Sequence, residues 1–150
     1  MKTIKEITAA ETFPVRHPVL RAGKPVESCR FEGDDAIATK HFGFFIDNRL
    51  IGVASLFQND SDLFDVDNQF QLRGMAVLEN HQKKGYGEDL LKHTEEVAKS
   101  QNASLIWFNA RIVAVPFYEK MGYKILGASF DIAGVGEHYV MYKSLVDSHA

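Results

Sequence analysis

Residues 82–87 read Gln-Lys-Lys-Gly-Tyr-Gly, and a run with clear helical period follows them. Glycine within a helix costs about 1 kcal/mol relative to alanine, so two of them at a helix entrance call for a return. A helix N-terminus carries unpaired N–H groups and about half a positive charge, which makes it a ready anion site. Gly85 and Gly87 remove the Cβ atoms that would keep a bulky anion off the backbone. Gln82, Lys83 and Lys84 add donors and positive charge just upstream. On these six residues alone, a cradle for a diphosphate and a plain tight turn between strand and helix stand level. A dinucleotide fingerprint would need a third glycine where Leu90 stands, and no Gly-Lys-Ser/Thr loop occurs, so nucleotide-type readings fade.

The elements that must position this turn follow from composition and pattern. At 150 residues, 45% hydrophobic and 25% charged, the chain reads as a single domain over 1–150. A net charge of −3 gives no electrostatic footprint for nucleic acid. Cys29 is the only cysteine, so neither a disulfide framework nor a Cys-cluster metal site is expected. No apolar stretch approaches the roughly 18 residues of a membrane span, and "MKTIKEITAAETF" lacks a signal-peptide core. A cytoplasmic protein without metal or membrane is the expectation.

"TIKEI" (3–7) reads as a strand, Ala9 to Leu20 as a helix with Pro14 in its first turns, and 22–35 as a loop. Residues 36–47 and 49–58 predict a hairpin about Asp47-Asn48, and 69–77 a third long strand. In the helix after "GYG", Tyr86, Leu90, Leu91, Val97 and Ala98 share one stripe, with Lys92, Glu95, Glu96 and Lys99 outside it. Residues 104–110 read as a buried strand, 114–123 as a short helix capped by Gly122, and "KILGASFDI" and "HYVMYKSL" as a closing hairpin. The strand–helix–strand unit predicts that 69–77 and 104–110 run parallel. The fold class is α/β (α+β): a mixed, mostly antiparallel sheet of about six to seven strands with helices on both faces.

"QKKGYG" matches, at Gln82, Gly85 and Gly87, the Gln/Arg-x-x-Gly-x-Gly/Ala pyrophosphate turn of the GCN5-related N-acetyltransferases. "LRGMAV" lies just upstream, where that family binds pantetheine. "PFYEKMGY" downstream looks like the family's second hallmark, an aromatic-Tyr-Glu-Lys-x-Gly-Phe/Tyr helix start. The order of elements agrees over roughly residues 36–144. The chain resembles this family, and the resemblance implies its acyl-CoA N-acyltransferase fold, acetyl-CoA as co-substrate and direct transfer of acetyl to an amine.

It further implies that the backbone of Met75, Ala76 and Val77 meets pantetheine and the thioester. Lys83, Lys84, Gly85, Tyr86, Gly87 and Glu88 would surround the diphosphate, with the Glu88 side chain turned outward, and Gln82 and Asn109 belong to the same cofactor-binding set. Gly74 supports the strand's part, since a glycine within a strand often marks a bulge or a close approach. Tyr118 matches the tyrosine that many members use to protonate the coenzyme A sulfur. The glutamate base of histone-type members falls, eleven residues before Gln82, on Gln71, which is no base. "GEHYVMYK" resembles the glycine–histidine–methionine ending of the ElaA-like branch and makes His138 the alternative base, because imidazole titrates near neutrality. An ordinary strand histidine fits His138 equally well, and His41 is a lesser candidate.

In this fold the acceptor is selected mainly by the first helix, its following loop and the closing hairpin. Arg16, His17 and Arg21 suit a carboxylate, while Glu27, Asp34 and Asp35 suit an ammonium. Arg21, Glu27, Gln71 and Arg73 are the expected substrate-binding residues, for a small-molecule primary amine that uses charges of both signs. Nothing near Cys29 marks it as a nucleophile. A non-catalytic acyl-CoA sensor and a protein- or peptide-directed acetyltransferase remain alternatives, and homodimerisation through the last strands is left open.

Overall fold

The computed structural model describes residues 1–146. Seven strands form one sheet in the order β1-β2-β3-β4-β5-β7-β6. They are β1 (Lys2–Ile7), β2 (Lys40–Ile46), β3 (Arg49–Gln58), β4 (Gln69–Val77), β5 (Leu105–Arg111), β6 (Lys124–Ile132) and β7 (Gly136–Ser144). Every neighbouring pair is antiparallel except β4 and β5, which run parallel as the strand–helix–strand pattern requires. The β2–β3 turn places both Asp47 (φ 49°) and Asn48 (φ 67°) in the left-handed region, the conformation that suits a two-residue hairpin loop.

Side chains of β3 alternate between two cores. Ala54 and Leu56 pack with Leu90, Leu91 and Ala98 of α2 (Tyr86–Ser100) and with the short α3 (Val115–Lys120). Val53 faces the other way, onto Ile7 and Ala76 and onto Val15 of α1 (Phe13–Leu20). Helices therefore cover both faces. Gly122 (φ +96°) ends α3, and Asn102 (φ 62°) follows α2, at the expected stops.

Four local expectations are corrected. The first helix is α-helical only from Phe13, after a 3-10 turn over Ala10–Thr12. Residues 22–35 contain a 3-10 turn, Val26–Cys29. The strand expected from 36 begins at Lys40, because the Thr39 amide closes a turn onto the Ala36 carbonyl at 3.0 Å. Glu95, placed by period on the outer face, is buried: it accepts hydrogen bonds from the Tyr123 hydroxyl (2.9 Å) and Lys143 Nζ (3.2 Å).

The α1 side also holds a fully buried charge. Arg16 donates to both Asp34 carboxylate oxygens (2.7 and 3.1 Å), to the Cys29 carbonyl (2.8 Å) and to Ser55 Oγ (2.9 Å). His41 completes the cluster by donating from Nε2 to the Asp34 carbonyl at 2.9 Å, which leaves Nδ1 to accept from Ser55. Asp34 in turn accepts from the Phe31 amide at 2.9 Å. The 22–35 segment is thus pinned to the sheet through Arg16.

Burial alone would raise the Asp34 pKa, but the hydrogen bonds from Arg16 and the Phe31 amide, with the Arg16 charge, hold it below the ordinary carboxylate value. A depressed carboxylate stabilises the fold at all pH values above its unfolded-state pKa of 3.8, and that contribution is lost as pH falls through the lower folded value. Asp34→Asn, which strands the Arg16 charge, should therefore cost about 3–5 kcal/mol in chemical denaturation at neutral pH. The deficit should shrink on acidification below pH 3.8. A loss under about 1 kcal/mol would mean that the pair does not pin the segment.

Candidate active site

β4 and β5 are paired only at Gln69–Leu105, Phe70–Ile106 and Gln71–Trp107. Beyond Gln71 they separate, because β4 bulges. Ser55 stands opposite Arg73 and Val53 opposite Ala76, so Gly74 and Met75 together face Ala54. Gly74 has φ +63°, the glycine conformation of a bulge residue. A Cβ there would lie 2.9 Å from the Phe31 ring and 3.2 Å from Arg16 Nε, so the position also serves a close approach.

The Leu78 amide donates to the Ile51 carbonyl at 2.9 Å. By strand alternation the Val77 and Met75 amides then turn away from β3, toward the opening. Ala76 does not: its amide faces β3 and its side chain packs with Val15 and Val53. Gln82 Nε2 donates to the Val77 carbonyl at 2.8 Å and so ties the glycine turn to the end of β4.

Gly85 caps α2 from the left-handed region (φ +86°), and Lys83, two residues earlier, also has positive φ (63°). No side chain caps this helix, and the first intrahelical bond from the capping residue runs from the Asp89 amide to the Gly85 carbonyl at 3.1 Å. The amides of Tyr86, Gly87 and Glu88 precede it and are free to meet an anion. Glu88 pairs outward with Lys92 at 3.1 Å, as expected. The Tyr86 ring packs on Phe44 (centroids 4.8 Å apart), so only its backbone is available. A Cβ on Gly87 would sit 3.8 Å from both Met75 Cε and Phe117 Cζ, which puts the helix entrance beside β4 and α3. Bare amides, a turn that admits close approach and an adjoining open strand edge fit the diphosphate and pantetheine arm of coenzyme A.

The opening widens into a cleft of about 370 Å³. Gln71, Arg73, Gly74 and Met75 line it from β4, Asn109 and Arg111 from β5, Tyr118 from α3, and His138 from β7. Tyr118 is only 9% exposed, and burial pushes its hydroxyl up to about 12, so it holds its proton at neutral pH. His138 donates from Nδ1 to the Gly136 carbonyl at 2.7 Å, which leaves Nε2 with the lone pair. Its ring lies against Phe130, 6.0 Å between centroids. Gln71 is held by Asn59 Nδ2 at 2.9 Å and is no base, as anticipated.

Of the residues expected at the substrate, Arg21, Gln71 and Arg73 line the cleft and Glu27 does not. Four other residues expected at the acceptor are engaged elsewhere. Arg16 and Asp34 hold each other, Asp35 pairs with Arg30 at 2.8 Å, and His17 Nε2 bonds the Lys24 carbonyl at 2.7 Å. His41 has both ring nitrogens bonded outside the cleft. Burial raises the Cys29 thiol pKa and leaves it inert. Sequence reasoning missed Phe31 and Arg111. Arg111 was within reach, since it follows Asn109 by one strand period on β5. Phe31 carried no local signal.

The model of the acetyltransferase (GNAT) family matches residues 4–123. The uncharacterized N-acetyltransferase YitI of Bacillus subtilis (strain 168) is 37% identical over 145 residues, covering 97% of each chain. Among solved structures, Escherichia coli ElaA superposes with a TM-score of 0.74 at 16% identity, over 95% of this chain and 99% of that one. An aminoglycoside 6'-N-acetyltransferase complexed with coenzyme A gives 0.76 at 15% identity, over 97% and 98%. With the turn, the parted strands and the cleft all in register with that match, the chain belongs to the GNAT family of acetyl-CoA-dependent N-acetyltransferases.

Proposed function

We propose that the protein transfers the acetyl group of acetyl-CoA to the primary amine of a small molecule by direct attack in a ternary complex. The observation that carries the reading is the meeting of Tyr118 and His138 in the walls of one cleft, which opens where β4 and β5 part. The co-substrate supplies an activated thioester carbonyl. The α2 entrance holds its diphosphate, and the outward amides of Met75 and Val77 bind the arm and face the thioester oxygen.

Neutral His138, oriented by its Nδ1–H bond to Gly136, accepts a proton from the attacking amine at Nε2. The amine nitrogen bonds to the carbonyl carbon, the carbon–sulfur bond breaks, and Tyr118 gives its proton to the departing thiolate. The raised pKa of Tyr118 means only that the phenol is fully protonated at neutral pH and so has a proton to give. Product release and exchange with water restore both groups. The cleft volume of about 370 Å³ matches a small acceptor rather than a length of polypeptide.

Tyr118→Phe should lower kcat by about tenfold or more while leaving acetyl-CoA affinity, measured by calorimetry, within twofold or so. Unchanged turnover would remove the donor role. In His138→Ala, kcat/KM should fall by about a hundredfold or more with acetyl-CoA affinity kept; wild-type kcat/KM would dismiss His138 as the base. Thiol release from acetyl-CoA, followed with free amines and with peptides, tests the acceptor class. Efficient turnover of peptides alone, or of no amine at all, would overturn the small-molecule assignment.

A further inference from the structure

We infer that the acceptor amine carries an oxyanion, in the first place a carboxylate, held by Arg21 and Arg73 beside the ring of Phe31. The inference rests on the acetyltransferase reading above and specifies its substrate.

Among the described residues, the charged ones lining the cleft are Arg21, Arg73 and Arg111, with no Asp or Glu. A protein whose net charge is −3 has concentrated cations here against its own average. Guanidinium groups of Arg16, Arg21 and Arg73 lie 4.0, 5.2 and 4.9 Å from the centre of the Phe31 ring. Only Arg16 has a carboxylate partner, Asp34. Among the described residues no ion pair involves Arg21, Arg73 or Arg111. Glu32, whose charge is felt by Arg73, offers it only a backbone carbonyl, at a long 3.4 Å. Arg21 donates only to the neighbouring Leu20 carbonyl, at 3.0 Å.

A guanidinium has five N–H donors in a planar fork shaped for an oxyanion, and stacking on a ring leaves that fork free. The two cations therefore face the cleft with most of their donors unmatched and with their charges repelling. Burial lowers the Arg73 pKa, with the charges of Arg16 and Arg21 adding to it and those of Asp34 and Glu32 opposing it, so the cation is left desolvated without a hydrogen-bonded carboxylate.

The phosphates of coenzyme A do not explain the cluster. Lys83, Lys84, Gly85 and Gly87, which suit the diphosphate, lie outside the cleft lining, whereas Arg21 and Arg73 lie beyond the Gly74 bulge on the α1 side. With Asp34 and Asp35 engaged and Glu27 outside, no carboxylate is placed to hold an ammonium, so polycationic amines meet like charge. The amine of the acceptor instead enters neutral, toward His138.

The test is thiol release from acetyl-CoA with matched probes: each standard amino acid against its carboxamide, phosphoethanolamine against ethanolamine, and spermidine. Acid members should exceed their amides by about tenfold or more in kcat/KM, the ratio expected for one charge-assisted contact. Preference for phosphoethanolamine over every carboxylate would identify the oxyanion as a phosphate. Arg21→Gln and Arg73→Gln should each raise KM for the best acid by about tenfold, with little change in kcat or in KM for acetyl-CoA. KM for the matching amide should not move. Arg73→Lys should recover part of the loss, which a packing defect would not.

Amides or spermidine reacting as well as the acids would overturn the inference, as would failure of every acid or equal losses on acid and amide in the arginine variants. Calorimetry with acetyl-CoA separates the two levels. Intact binding without acid preference sinks only the oxyanion, whereas no binding removes the acetyl-transfer reading beneath it.

Discussion

A strand that loses its neighbour still carries donors and acceptors, and β4 has no partner for half of them once β5 diverges after Gln71. The parting is enforced by covalent economy at one position. Gly74 adopts φ +63°, inserts an extra residue opposite Ala54 and bends the strand away. The same bare Cα lets Arg16 and Phe31 press against the strand from the α1 side. One glycine therefore opens the β4 edge and admits the α1-side wall of the cleft. Each side chain in the cleft takes its meaning from that opening.

The rest of the sheet keeps the opening from closing. β5 pairs along its whole length with β7, so it cannot follow β4, and β7 brings His138 opposite Arg111. α2 packs across β2, β3 and β4 and so fixes its entrance beside Met75. The short α3 sets Tyr118 against Phe108 of β5, with ring centroids 4.3 Å apart, and this orients the tyrosine by packing rather than by a hydrogen bond. Rigid elements hold Tyr118 and His138, and the loops only border them.

Much of this was legible in the sequence because it is written locally. The glycine pair, the Asp47-Asn48 turn, the Gly122 cap and the period of α2 depend on residues a few positions apart. The parallel pairing followed from handedness and connection length, although not its brevity. What stayed illegible were charges whose partners lie far along the chain. Arg16 and Asp34 are 18 residues apart, and Glu95 and Lys143 are 48 apart. Period and loop composition place such residues in solvent, because burial of a charge is affordable only with a partner that no local window contains. Asp34 and Asp35, read from the sequence as free loop charges, are instead paired with Arg16 and Arg30.

The buried Arg16–Asp34 pair divides the labour of the α1 side in a way that bears on how such an enzyme diversifies. The pair is deep and has many hydrogen bonds, so it fixes where the strap between α1 and β2 must lie. Arg21 and Arg73 are partly exposed and stack on that strap without anchoring it. Substitutions at the latter two can drift at small cost to folding, whereas the former two are locked together. A lineage built on this frame is free to remodel one wall of its cleft over generations while its scaffold stays still.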